Sequence, residues 1–337
     1  MDNKNVGRYY NIIMGDGDDS FKSYFEREWN RFMDRFPTKH KDAVQLRIGN
    51  RLRPCLVCWG YALSITNIEK LNFESVIDLA IGMELIHKGS LIIDDYIDDD
   101  DARRGKITFH REYSSNEAIM FLLFLLGKAV EQLGKYVNVE RISHLICSMS
   151  EGALRELSLS QSDFFQMVKI DDIVKGETVS LIRDSLLFGY EINKNDVSGI
   201  SEILESVAST CAYNFQLLND LEPFSAVNKN IQYKNNHNFD FEKNRKNMVI
   251  ARLYQVCTEE ERNTIVSNLK SEQLFKIIYE LIEKYKIRDE VINDVEKAKS
   301  KIKLEMLALL PLINNTECVH DFLYFVDETI NLCYLRI

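Results

Sequence analysis

Apolar residues recur along this chain at helical spacing, and strand-like alternation is almost absent. Across residues 19–36 the side chains Phe21, Tyr24, Phe25, Trp29, Phe32 and Phe36 return every three or four positions, as on an amphipathic helix. Another helix begins near Arg53-Pro54, because proline is tolerated in a first turn. The segment 73–97 is apolar on almost every face (Phe73, Val76, Ile77, Leu79, Ile81, Met83, Leu85, Ile86, Leu91, Ile92, Ile93), which suits a helix at the centre of a bundle. Helical patterns continue over about 116–135, 139–160, 171–189, 197–222, 247–257, 259–285, 289–310 and 317–335. No repeat and no Pro/Gly/Ser linker interrupts them, so one domain over 1–337 is expected. The longest apolar run, Ala118 to Leu126, has nine residues. A bilayer span needs about 20, so this run belongs to a buried helix and no transmembrane segment is expected.

Composition sharpens this picture. The chain is 45% hydrophobic with only four prolines and 14 glycines, which favours long uninterrupted helices. A formal net charge of −10 argues against a nucleic-acid partner, since phosphate backbones require a basic surface. Seven scattered cysteines and a polar start, MDNKNVGRYY, suggest reduced thiols in a cytoplasmic protein. Cys55 and Cys58 form a CxxC, but no second pair completes a zinc site, and the surrounding CLVCWGYAL reads as a buried helix face. Residues 226–247 are rich in Asn and Lys and poor in apolar residues. They read either as a mobile surface loop or as an active-site lid whose Lys229, Lys234, Arg245 and Lys246 close on an anion.

The most informative stretch is ELIHKGSLIIDDYIDDDDARRGKITFH, Glu84 to His110. On a helix Asp94 and Asp98 stack on one face, and Asp95 lies about 100° round, within reach of the same ion or a second one. Six aspartates between positions 94 and 101 end an apolar helix, where the macrodipole is already negative. A solvated acidic turn neutralised by Arg103-Arg104 would account for the charges alone. The buried helix before the run and the basic pair after it point instead to hard-oxygen binding of Mg²⁺, with arginines gripping a diphosphate.

DDYID followed by DDDA and RRG resembles the first aspartate-rich motif of the trans-isoprenyl diphosphate synthase (polyprenyl synthetase) family, and GNRLRP (Gly49 to Pro54) and ELIH are similar to its neighbouring motifs. The resemblance covers about 45–255. It implies an all-α bundle of long helices around a deep central cavity, the isoprenoid synthase type I fold, and a homodimer. It also implies Mg²⁺ on Asp94, Asp95 and Asp98, with Arg103 on an allylic prenyl diphosphate. Arg53, His87 and Arg104 would hold a second diphosphate, isopentenyl diphosphate in ordinary members, and Lys246 would add a diphosphate contact.

The second half departs from the pattern. FQLLNDLEPF stands where the family has FQxxDDxxD: Asn219 replaces one aspartate, Asp220 remains, and Pro223 replaces the last. Asn219 and Asp220 are thus weakened candidate ligands for a third metal, beside the retained Thr178 and Gln216. Glu177 stands in place of the family's diphosphate-binding lysine, and Asn50 in place of another. Ionisation of an allylic diphosphate then admits several acceptors. Isopentenyl diphosphate makes a chain-elongating prenyltransferase, the substrate's own double bond a terpene cyclase, and another molecule a modifying transferase. Retained Arg53, His87 and RRG favour two diphosphate sites. Asn219-Asp220 resembles the start of a cyclase metal motif, although Pro223 and Val227 stand where its serine and glutamate belong. DFEKNRKNMVIARLY is similar to isoprenyl transferases that modify a signalling peptide, and a non-catalytic partner subunit is a further alternative. Finally, Gly89 and Ser90 lie about one turn below Asp94 and carry little volume. A prenyl tail would run past them towards Ile86, Gly82, Phe121 and Phe124, so chains of C20 or longer are expected; the same small residues would also allow close helix packing.

Overall fold

A computed structural model describes residues 7–36, 39–160, 163–193, 199–225, 246–269, 271 and 273–337. Its helices are α1 (Arg8–Met14), α2 (Phe21–Asp34), α3 (Val44–Arg47), α4 (Leu52–Ser64), α5 (Ile77–Ile97), α6 (Phe109–Glu112), α7 (Ser115–Leu133) and α8 (Val139–Leu157). They continue as α9 (Met167–Val174), α10 (Ser180–Glu191), α11 (Ile200–Leu221), α12 (Met248–Val256), α13 (Glu259–Ser267), α14 (Leu274–Lys284), α15 (Ile287–Ala308) and α16 (Thr316–Tyr334). The expected all-α class holds. One pair of two-residue strands, β1 (Ala102–Arg103) and β2 (Lys106–Ile107), is described beside the helices.

The chain divides into two compact units. The first comprises Met1–Ile146, Leu181–Ser206 and Met306–Tyr324. Its centre is α5, which buries residues around most of its circumference and packs mainly on α7 and α4. That follows from its sequence, which is apolar on most faces along the first four turns, with Glu84, His87 and Lys88 grouped on one. On α2, Ser20 caps the first turn by accepting from the Ser23 amide, and Phe21, Phe25, Trp29 and Met33 form the buried stripe. Cys55 and Cys58 are buried free thiols on α4, and burial pushes Cys55 up to about 12, so the CxxC is core rather than zinc or redox chemistry. On α16, Asp321 accepts from the Tyr9 amide at 2.8 Å and the Tyr10 amide at 3.3 Å, and Asn315 donates to the Tyr9 hydroxyl at 2.6 Å.

The second unit comprises Cys147–Ser180, Val207–Glu305 and Phe325–Ile337. Between α9 and α10 the helix widens into a π turn, Lys175–Val179. A Cβ at Gly176 would stand 2.7 Å from the Ser148 carbonyl oxygen, so α8 meets this turn nearly backbone to backbone. The pattern read as one helix over 259–285 is two, α13 and α14, because the Asn268–Gln273 stretch offers too few apolar side chains to continue it. Thr258 and Glu261 form a reciprocal cap at the start of α13. Of the expected loop, residues 226–245, with Lys229, Lys234 and Arg245, lie outside the described residues.

Candidate active site

In the first unit the acidic run is built on the last turns of α5. Asp94 and Asp95 lie within the helix, and Asp98 caps it, its amide donating to the Asp94 carbonyl at 2.8 Å. Asp99 adopts φ 54, which turns the chain out of the helix. The β1/β2 hairpin follows, and its turn residues are Arg104 and Gly105, with φ 51 and 72. A two-residue hairpin of this kind requires left-handed backbone at both central positions, which glycine supplies freely. RRG is therefore a hairpin turn that folds Arg103 back over α5. Arg103 Nε donates to Asp95 Oδ1 at 2.5 Å. Past the helix end, Arg111 pairs with Asp99 and Asp101, each at 2.8 Å.

Asp95 is fully buried, and burial raises its carboxyl above the usual range although the Arg103 guanidinium opposes the shift. Its Oδ2 is buried with no hydrogen-bond partner. An orphaned buried carboxylate oxygen, on the helix turn that also carries Asp94 and Asp98, fits a hard cation. Among the described residues no three His, Cys, Asp or Glu side chains already converge on one point. Mg²⁺ does not need such a cage, because it takes one or two carboxylates and completes its shell with water and substrate phosphates.

Arg53 and His87, from α4 and α5, meet at 3.2 Å between Nη1 and Nε2. Burial holds the His87 imidazole well below its usual range, reinforced by Arg53, Lys88, Arg103 and Arg104, so a neutral ring accepts from the guanidinium. Arg53 is itself lowered to about 10 by burial, with Arg104 adding to the shift against the pull of Glu84. Arg53 Nε is buried with no partner. Burial of Arg53 beside a neutral ring, with an unpartnered Nε, leaves a cationic corner that an anion would satisfy.

A buried network beneath them escaped the sequence reading. Arg51, at φ 54, donates to both oxygens of Glu26, at 2.7 and 3.1 Å, and to Glu84 Oε1 at 2.7 Å. Lys88, lowered to about 8 chiefly by burial, donates to the Gln45 carbonyl at 3.0 Å and to the Ile48 carbonyl. The Glu84/Lys88 spacing of four was the available signal, since an acid and a base one turn apart on an otherwise apolar helix call for a buried partner.

The tunnel candidates separate by face. A Cβ at Gly89 would stand 2.9 Å from Leu122 Cδ1, and one at Gly82 would stand 2.6 Å from Leu133 Cγ, so both glycines serve the contact with α7. Ile86 and Ser90 share the face of Asp94 and Asp98 by their spacing of four. Phe121 and Phe124 join Phe36 and Phe109 in an aromatic cluster, with Phe121 and Phe109 stacked at 5.0 Å and Phe36 and Phe124 edge-on at 5.0 Å.

In the second unit the retained motif residues form one chain of hydrogen bonds. Thr178 Oγ1 donates to Gln216 Oε1 at 3.1 Å, and Gln216 Nε2 donates to Asp220 Oδ1 at 2.8 Å. Asp220 Oδ2 accepts from the Met248 amide at 2.7 Å, and Asn247 donates to the Asp220 carbonyl at 3.1 Å. Pro223 lies in a 3₁₀ turn just past the end of α11. Lys246 pairs with Glu177 and with Glu156, neither acid being a residue that a cation-binding motif would mark for this position.

Comparison with known proteins identifies the family. The polyprenyl synthetase family pattern matches residues 39–284. The geranylgeranyl diphosphate synthase of Saccharolobus solfataricus is 24% identical, over 94% of this chain and 95% of its own. Solanesyl diphosphate synthase 2 of Arabidopsis thaliana is 29% identical over 52% of this chain and 43% of its own. Among solved structures, a polyprenyl synthase from Caulobacter crescentus CB15, complexed with calcium and isoprenyl diphosphate, superposes with TM-score 0.75 at 20% identity, covering 96% of this chain and 98% of that one. A decaprenyl diphosphate synthase from Rhodobacter capsulatus gives TM-score 0.76 at 16% identity, over 92% and 97%. With the family pattern spanning most of its length, the chain belongs to the polyprenyl synthetase family of prenyltransferases.

Proposed function

We propose that this protein is an Mg²⁺-dependent prenyltransferase that ionises an allylic prenyl diphosphate and couples it to isopentenyl diphosphate, giving products of C20 or longer. The observation that carries the reading is the pair of cations, Arg53 and Arg104, acting on neutral His87, with Arg53 in contact with the ring. It supplies positive charge for a diphosphate beyond the one that would bind at the aspartates, and a cyclase has no use for a second diphosphate. Asp94, Asp95 and Asp98 would hold the metal, which when bound stabilises the departing diphosphate as a Lewis acid. Arg103, now engaged by Asp95, would turn its guanidinium to the allylic diphosphate once a cation satisfies that carboxylate. Arg53, with an unpartnered Nε, and His87 would orient isopentenyl diphosphate so that its double bond lies near the allylic carbon. The relatives named as geranylgeranyl and solanesyl diphosphate synthases support a long product.

The test is mass spectrometry of products from the purified protein with Mg²⁺ and C10, C15 or C20 allylic diphosphates, with and without isopentenyl diphosphate. A longer diphosphate formed only with isopentenyl diphosphate, and lost in Asp94→Asn, is the expected result. A hydrocarbon formed without it would replace this reading with a cyclase.

A further inference from the structure

Lys246 is held at two points by one acid. Its backbone amide donates to Glu156 Oε1 at 2.9 Å and its ammonium reaches the same oxygen at 3.4 Å, while Glu177 pairs with the ammonium from the π turn. The three side chains are nearly enclosed, with exposures of 12% for Lys246, 4% for Glu156 and 20% for Glu177. Asp220, the aspartate that survives in the second motif, spends Oδ1 on Gln216 and Oδ2 on the amide that opens α12. Asn219 offers only an amide oxygen, a weak partner for a dication, and Pro223 ends the helical face that would carry a further ligand.

These residues do not fit a divalent cation. Mg²⁺ demands near-octahedral oxygens at about 2.0–2.1 Å, and to supply them Asp220 would have to release the start of α12 while Glu156 and Glu177 released an enclosed ammonium. We propose that the Lys246 ammonium is a built-in cation that replaces the metal in this unit, so that the protein binds divalent ions at Asp94, Asp95 and Asp98 alone. The appearance of an acid at 177, where the family pattern has a lysine, then has a physical reason: Glu177 and Glu156 fix the replacement cation. An ammonium has three N–H donors, and two carboxylate partners leave one for a phosphate oxygen. Asp220, Gln216 and Thr178 are positioning residues that hold α11 and α12 in register around it. This rests on the reading of the protein as a diphosphate-binding enzyme, but its test does not need turnover.

The probe is Mn²⁺, counted by electron paramagnetic resonance on the full-length protein with inorganic pyrophosphate present. Asp94→Asn/Asp98→Asn is expected to weaken all Mn²⁺ binding at least tenfold, and Asp220→Asn to leave it within twofold of wild type. Lys246→Met, which removes the ammonium held by Glu156 and Glu177, is expected to gain a Mn²⁺ site that persists in the Asp94→Asn/Asp98→Asn background. Lys246→Arg keeps the charge and should bind as wild type does, which checks the position should the methionine variant fold poorly. A Mn²⁺ site in the Asp94→Asn/Asp98→Asn protein that Asp220→Asn or Glu177→Gln removes would overturn the proposal. So would a well-folded Lys246→Met that gains no site, or a Lys246→Arg that does. A protein that binds Mn²⁺ as described but elongates no allylic diphosphate would remove the function and leave this assignment standing.

Discussion

His87 keeps its proton state through its neighbours. In the unfolded chain a histidine takes up a proton near pH 6.5. In the fold, burial and the cations around it hold the ring neutral well below that value. As pH falls through about 6.5, only the unfolded state gains the proton, so stability fully present above that pH is lost, at up to ~1.4 kcal/mol per pH unit. His87→Gln should flatten this part of the curve, and urea denaturation at pH 7.5, 6.0 and 5.0 measures it. An unchanged slope would mean that the ring is protonated in the fold. The grouping of Asp94, Asp95 and Asp98 could be read from helical spacing, whereas His87 and Arg103 were singled out through motif resemblance. The pairing of Arg103 with Asp95 was not legible, since it depends on a turn whose left-handed residues carry no periodic signal.

The elements α2, α4 and α5 are joined by Arg51, fully buried between Glu26 and Glu84. Arg51→Ala leaves Glu84 enclosed with Lys88 as its remaining cation, at 3.7 Å. Removing one partner of a buried pair costs about 3–5 kcal/mol, which a shift in the urea midpoint would report; a loss under about 1 kcal/mol would show that water reaches the site. The long helices could be read from hydrophobic period alone, whereas β1 and β2 could not, because two-residue strands are too short to alternate. Faces along α5 carry a second expectation. Gly89 packs on α7, so Gly89→Phe should cost about 1–3 kcal/mol by overfilling that contact. Ser90→Phe, one turn below Asp94 on the metal-side face, should shorten the product by at least one C5 unit. Mass spectrometry of products together with thermal melts separates the two positions, and shortening by Gly89→Phe but not by Ser90→Phe would place the prenyl tail on the opposite side of the helix.

At the scale of the whole molecule, α7 leaves Ile119 39%, Met120 63% and Leu123 56% exposed on one helix. Apolar surface grouped in this way is what an interface between copies of the chain would cover, and the expected homodimer would place it there. Leu123→Glu should then shift sedimentation towards the monomer, while Leu304→Glu, exposed at 71% on α15, should not. Equal effects would locate the interface elsewhere. No helix among the described residues is long and apolar enough to cross a membrane, as the nine-residue run at Ala118 to Leu126 led one to expect. The grip of Asp321 on the amides of Tyr9 and Tyr10 bears on how the protein is made. A ribosome issues residue 9 more than three hundred peptide bonds before residue 321. Throughout that interval α1 lacks the Asp321 acceptor for the amides of Tyr9 and Tyr10, and the Tyr9 hydroxyl lacks the Asn315 amide that donates to it. The helix α1 is thus among the last segments to settle, and a nascent chain halted before α16 should expose α1 to protease although most of the helices between them have already been synthesised.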